Sequence, residues 1–253
     1  NSLKRYRNGQ EGRYTYVNWG YNTIGVFQNQ DQINNWPVNI DGKGNTTLLP
    51  GDFIVEDVNG DGRIDSQDER PIAYQDNTSV APQPIVNGGL TLGFDWKGID
   101  LSADFSLAGG YAFTPNWETR WPFQNGRTLV RETQFKNRWR HEDPFDPNSA
   151  WIPGDVPALR FTAREYVSWN RNLDYWTTNV VAFRLRSLEI GYTLPKKWLA
   201  AARIQKVRFY VNTYNLFSID NVKKYGVDPE IADRNGMQYP QNRVINIGAN
   251  LTF

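Results

Sequence analysis

Alternation is the feature that leaves this chain least freedom. In GGLTLGFDW, Leu90, Leu92, Phe94 and Trp96 fall on one side of an extended backbone, with Thr91, Gly93 and Asp95 on the other. Beyond Lys97-Gly98, IDLSADFSL runs back with Ile99, Leu101, Ala103, Phe105 and Leu107 set against Asp100, Ser102, Asp104 and Ser106. Side chains change face at every residue only in a strand, so two such runs across a tight turn predict a two-faced antiparallel hairpin. Three further runs follow, at 180–194, in VRFYVNTYNLF from Val207, and in NRVINIGANLTF ending at Phe253. In the last, Ile245, Ile247, Ala249, Leu251 and Phe253 share one side against Asn246, Gly248, Asn250 and Thr252. Within 180–194 the apolar phase switches near Ser187, from Phe183 and Leu185 to Leu188, Ile190, Tyr192 and Leu194. A β-bulge accounts for such a switch, as does a strand projecting beyond a membrane.

Most of these runs are about 9 to 13 residues long. That suits tilted strands crossing a bilayer, whereas strands of a soluble sandwich are nearer ~5–6 residues. The connections alternate short, long, short, long, as they do in outer-membrane barrels with short periplasmic turns and long outer loops. The expected organisation is an extracellular lobe over 1–80, a barrel hairpin over 81–110, a long extracellular loop over 111–176, and three last strands over 177–253. Phe253 then falls on the periplasmic side. No apolar run approaches the ~18 residues of a helical span. The chain is polar on average yet 14% aromatic, with ten Trp and thirteen Tyr. Such a composition suits the aromatic girdles of a barrel and equally a sugar-binding β protein. Its 28 basic and 27 acidic residues leave no basic stripe for nucleic acid. Zero cysteines exclude a disulfide scaffold, a thiolate metal site and a cysteine nucleophile.

Two groups of residues are candidate sites. In DVNGDGRIDSQDE, Asp57, Asn59, Asp61, Asp65 and Asp68 stand at positions 1, 3, 5, 9 and 12 of a calcium loop. Gly62 stands at the turning position, and the Arg63 carbonyl would serve position 7. The residues admit two readings: a structural cation pinning an outer loop, or an Asx-rich turn cluster held by side-chain-to-backbone bonds. The second group is Trp117, Trp121, Trp139, Trp151, Trp169 and Trp176, six of the ten tryptophans, concentrated where alternation stops. Their flat faces suit stacking on sugar rings or burial of peptide side chains, and equally the gluing of a long loop to its neighbours. No catalytic residue is expected. His141 is the chain's single histidine and lies in no nucleophile–base pattern.

In chain order, PGDFIVEDVNGDGRIDSQDE, NGGLTLGFDWKGIDLSADFSLAGG, AFRLRSLEIGYTLPKKW, VRFYVNTYNLF, YGVDPE and YPQNRVINIGANLTF form a specific set. The set resembles the C-terminal part of a SusC/RagA-type TonB-dependent transporter, over about 50–253 and more loosely 14–30. The closing pattern Asn246-x-Gly248-x-x-Leu251-x-Phe253 has the form of a barrel assembly signal. The resemblance implies an all-β fold, an antiparallel transmembrane β-barrel of which this chain supplies the last ~5 of roughly 22 strands. It implies import of oligosaccharides or peptides across the outer membrane, together with a SusD-like surface lipoprotein. The TonB complex would act through a plug that this chain does not contain. Five strands cannot close a barrel, so the remainder of the barrel must complete it, with outer-membrane lipids around it. The competing reading is a secreted, calcium-dependent carbohydrate-binding β-sandwich. The apolar faces separate the two: a barrel exposes Leu90, Leu92, Phe94, Ile245, Ile247 and Leu251 as one band, and a sandwich buries them.

Overall fold

The structure, a computed structural model, describes residues 17–74, 84–124, 130–202, 204–230, 235–237, 239 and 241–253. The opening NSLKRYRNGQ and the end of the expected 1–80 lobe lie outside the described residues. The first strands in chain order are β1 (Val17–Gly20), β2 (Thr23–Val26), β3 (Phe53–Val55) and β4 (Arg70–Tyr74). Then come β5 (Val86–Trp96), β6 (Ile99–Phe113), β7 (Arg140–His141) and β8 (Trp151–Ile152), followed by β9 (Thr178–Thr193), β10 (Lys206–Asp220) and β11 (Val244–Thr252). Helices are few and short: α1 (Gln30–Asn34), α2 (Glu132–Lys136), α3 (Val167–Asn170) and α4 (Lys196–Leu199). The chain is therefore mostly β, and its paired strands run antiparallel. It divides into two compact units.

One unit holds a five-stranded sheet in the order β11-β10-β9-β6-β5. All five expected strands are present, and β6 runs six residues beyond the alternating stretch, to Phe113. The β5–β6 hairpin closes at Lys97-Gly98, where both residues have positive φ (50° and 87°), as a tight two-residue turn demands. The sheet is open, with β5 and β11 at its edges.

The phase switch near Ser187 has its counterpart on the neighbouring strand. Tyr214 pairs with Ser187 and Phe217 with Leu185, so Asn215 and Leu216 together oppose Arg186 alone. Asn215 takes a positive φ of 50° to make the bulge. Beyond it, Phe217 and Ile219 keep company with Leu185 and Phe183, so both strands hold one apolar side through the change. On the other side, glycines make room for neighbours. Asp100 of β6 and Arg208 of β10 meet above Gly191 of β9, where a Cβ would stand 2.3 Å from the guanidinium. Tyr210 lies across its pairing partner Gly248, where a Cβ would stand 2.5 Å from the ring.

The other unit gathers residues 17–74 with most of 112–178. Its core joins Phe27, Ile33, Ile40, Phe53, Val55 and Ile64 to Trp169, Leu173 and Trp176. Pairing is short, β1 with β4, β2 with β3 and β7 with β8, and turns do the rest. Asn29 caps α1 by accepting from the Gln32 amide at 2.8 Å, which sets Ile33 into the core. Asp52 and Arg160 form an interior ion pair, with the guanidinium 4.1 Å above the Tyr166 ring. Burial pushes the Asp52 carboxyl up against the opposing pull of Arg160. Gly51 passes so close to Trp139 that a Cβ would lie 2.3 Å from the indole.

Candidate functional site

The 57–68 loop is organised by its carboxylates accepting from backbone amides. Asp57 takes the amides of Gly60 and Gly62 on separate oxygens, both at 2.8 Å. Asp61 accepts from Arg63, Asn59 from Asp61, and Asp65 from Gln67. Asp68 is fully buried and holds the loop shut, receiving the amides of Val58 (3.0 Å), Asn59 (3.3 Å) and Asp65 (2.9 Å). Gly60 and Gly62 carry the positive φ values, 74° and 84°, that bring those amides inward. Asp57, Asn59, Asp61 and Asp65 keep part of their surface open to solvent. Among the described residues, no three His, Asp or Glu side chains converge on one point. The loop is seated by its own backbone, since Gly62 accepts from the Asn39 amide at 2.8 Å and Ile64 is buried.

A second acidic turn stands nearby in sequence. Asp41 accepts from the amides of Lys43, Asn45 and Thr47 and from the Thr47 hydroxyl, at 2.7 to 2.9 Å. Burial works to raise its carboxyl, and the Thr47, Lys43 and Asn45 bonds outweigh that, leaving it below the ordinary carboxylate range.

The six tryptophans separate into two kinds. Trp139, Trp169 and Trp176 are buried. Trp169 stacks on Trp176 at 5.3 Å, and their indole N–H groups donate to the carbonyls of Ala158 and Ser168. With their faces packed inside, these three serve the core. Trp117, Trp121 and Trp151 keep surface. Trp117 is exposed, has a positive φ of 49° and sits 6.1 Å from Trp121. Trp121 donates to the Trp169 carbonyl at 2.8 Å. Trp151 lies against His141 at 4.0 Å, and that imidazole meets the Ser149 carbonyl at 3.0 Å.

The sheet offers two unlike faces. Leu90, Leu92, Phe94, Ile245, Ile247 and Leu251 are 48% to 83% exposed, with Ile190, Phe209 and Val211 exposed beside them. Trp96 and Trp198, next to the short turns, are exposed too. The other face is ionic. Arg208 binds Asp100 and Glu189 together, and Asp104 accepts from Thr91 and Ser187. Arg184 and Arg186 have partners that sequence reasoning missed. Arg184, almost wholly buried, reaches Asp228 at 2.6 Å, Glu230 at 3.1 Å and the Gln241 side chain at 3.2 Å. Arg186 pairs with Glu230 and donates to Ser106 at 2.9 Å. The Tyr111 hydroxyl donates to the carbonyl of Pro229, between the two acids. A signal existed: two arginines two apart, and two acids two apart in YGVDPE.

No family model matches the chain. Two curated relatives do, both from Formosa agariphila. TonB-dependent receptor P3 is 26% identical over 265 residues, covering 96% of this chain and 23% of the relative. TonB-dependent receptor P39 is 25% identical over 223 residues, covering 83% of this chain and 19% of the relative. The fold is that of part of the RagAB peptide importer. The open-open state matches with a TM-score of 0.53 at 19% identity, over 96% of this chain and 23% of that one. The closed-closed state matches with 0.56 at 22% identity, over 94% and 23%. The chain thus spans under a quarter of the length of the proteins it resembles.

Proposed function

We propose that this chain, similar throughout to one part of the SusC/RagA-type TonB-dependent receptors, supplies consecutive strands to an outer-membrane barrel that imports oligosaccharides or peptides. The observation that carries the reading is the apolar band on β5 and β11, continued on β9 and β10, opposite a face of paired charges. Lipid accepts such a band without cost, and the ionic face suits a wet or plugged lumen. A secreted sandwich would need a second sheet over that band, and among the described residues there is one large sheet. The open edges at β5 and β11 ask for antiparallel neighbours from the remainder of the barrel. A SusD-like lipoprotein outside and the TonB complex acting on a plug complete the reading. RagAB, a peptide importer by name, makes peptides the first solutes to try.

The test is uptake. Cells carrying the complete receptor are given labelled oligopeptides and oligosaccharides, with and without an uncoupler. Accumulation that disappears with the receptor or with the proton gradient is expected. Accumulation indifferent to both would sink the proposal.

Two finer elements belong here. Of the six tryptophans between 117 and 176, Trp117, Trp121 and Trp151 keep surface for solute. A calcium ion on the 57–68 loop would be held by Asp57, Asn59, Asp61, Asp65 and the Arg63 carbonyl, with Asp68 turned inward as the loop's own tie. Its role would be structural, a cross-link within the loop. With the purified receptor, calcium is expected to slow protease cleavage within 57–68, and Asp61→Asn to abolish that protection. Equal cleavage with calcium and with chelator would leave the Asx-turn reading alone.

A further inference from the structure

Between 121–124 and 161–165 lies a cleft of about 340 Å³, lined by Phe123, Gln124, Phe161, Thr162, Arg164 and Glu165. Three observations set it apart from an ordinary surface dent. Phe123 and Phe161 stack with centroids 5.6 Å apart and planes at 21°, and Phe161 leaves 68% of itself exposed. Phe123 holds a positive φ of 52°, six residues after Trp117 at 49°. Bulky side chains rarely occupy that region, and outliers of this kind gather at binding sites. Gln124 is 5% exposed, and its side-chain oxygen has no hydrogen-bond partner among the described residues. The floor is firm, since Ala163 belongs to the buried core.

We propose that this cleft is a subsite for an aromatic ring carried by the solute. Its volume decides the scale: a cavity of about 150 Å³ takes one benzene, and pockets for drug-sized ligands start at about 300 Å³. At about 340 Å³ it holds a ring together with the groups attached to that ring. The lining decides the chemistry. Here a phenyl stack stands at the centre, with one amide, one hydroxyl, one cation and one anion around it. A third ring continues the Phe123–Phe161 stack on the open face of Phe161. The Arg164 guanidinium, already 5.8 Å over the Trp121 ring, is of the kind that favours aromatic faces. The inference rests on the import reading only in taking the ligand to be an imported solute.

Binding to the purified complete receptor in detergent, read by calorimetry, tests it with two matched pairs: Gly-Phe-Gly against Gly-Leu-Gly, and phenyl β-glucoside against methyl β-glucoside. The ring-bearing member of at least one pair is expected to bind more tightly, and the pair that discriminates tells whether the ring comes on a peptide or a glycoside. Phe161→Ala should weaken the ring-bearing probe by about tenfold, and Phe161→Tyr should restore it. No binding, equal affinity within both pairs, or indifference to Phe161→Ala overturns the subsite. Ring binding without gradient-driven uptake in cells would remove transport and leave the cleft. Uptake with no preference for the ring would do the reverse.

Discussion

At single residues, the outcome turns on what a side chain has beside it. Gly51 and Gly60 both have positive φ, 94° and 74°. A Cβ on Gly51 would enter the Trp139 indole, whereas one on Gly60 meets nothing within 4 Å. Gly51→Ala must therefore displace a buried indole as well as strain the backbone, a cost of about 2–4 kcal/mol. Gly60→Ala has only the left-handed backbone to bear, about 1 kcal/mol. Urea midpoints from pulse proteolysis of the receptor should fall in that order, and equal shifts would contradict the packing. The tryptophans teach the same lesson. Composition marked all six of the 111–176 region as alike, but Trp169 and Trp176 are core because Phe27 and Phe53 arrive from more than a hundred positions earlier. Nothing local in their sequence announces that meeting.

Between elements, the sheet was legible and its attachments were not. Five strands follow from alternation because a strand's faces are set by its own residues. The bulge could be read on β9 from the switch at Ser187, but its other half, Asn215-Leu216, looks like ordinary strand sequence. The Asp228-Pro229-Glu230 turn depends on β9 through Arg184, whose side chain is 6% exposed. Arg184→Met leaves Asp228 without its cation and Glu230 with Arg186 alone, and breaking a buried pair costs about 3–5 kcal/mol. The Glu230 amide, bonded to Asp228 at 2.9 Å, should then exchange its hydrogen at least roughly tenfold faster while β11 amides keep their rates. Unchanged protection at Glu230 would mean the turn is held by something else.

For the molecule as a whole, the environment of each sheet face is the decisive question. Leu92 is at the middle of β5 and half exposed, and Thr91 beside it faces the ionic side, bonded to Asp104. In a bilayer, Leu92→Arg puts a charge near the midplane at about 2–4 kcal/mol, while lumen substitutions are mild. Leu92→Arg should lower the amount of assembled receptor in outer membranes, measured by heat-modifiable mobility on gels, and Thr91→Arg should not. Equal effects would argue that both faces meet water. The lobe of 17–74 with 112–178 was not legible at this scale. Its order comes from Asx turns, short pairings and one shared core, none of which leaves a period in the sequence.

The glycine beneath Tyr210 has a consequence for how strands find their partners. Two-face alternation works as a parity check: a slip of one residue swaps every apolar side chain to the wrong side and is rejected. A slip of two passes that check, because the faces agree again. It would set Asn246 or Asn250 where Gly248 now leaves room for the Tyr210 ring. Similarly, on β9 it would bring Glu189 or Thr193 under the Asp100–Arg208 pair in place of Gly191. Parity removes the odd errors and the two glycines remove the even ones, so the alignment of β9, β10 and β11 is specified to the residue.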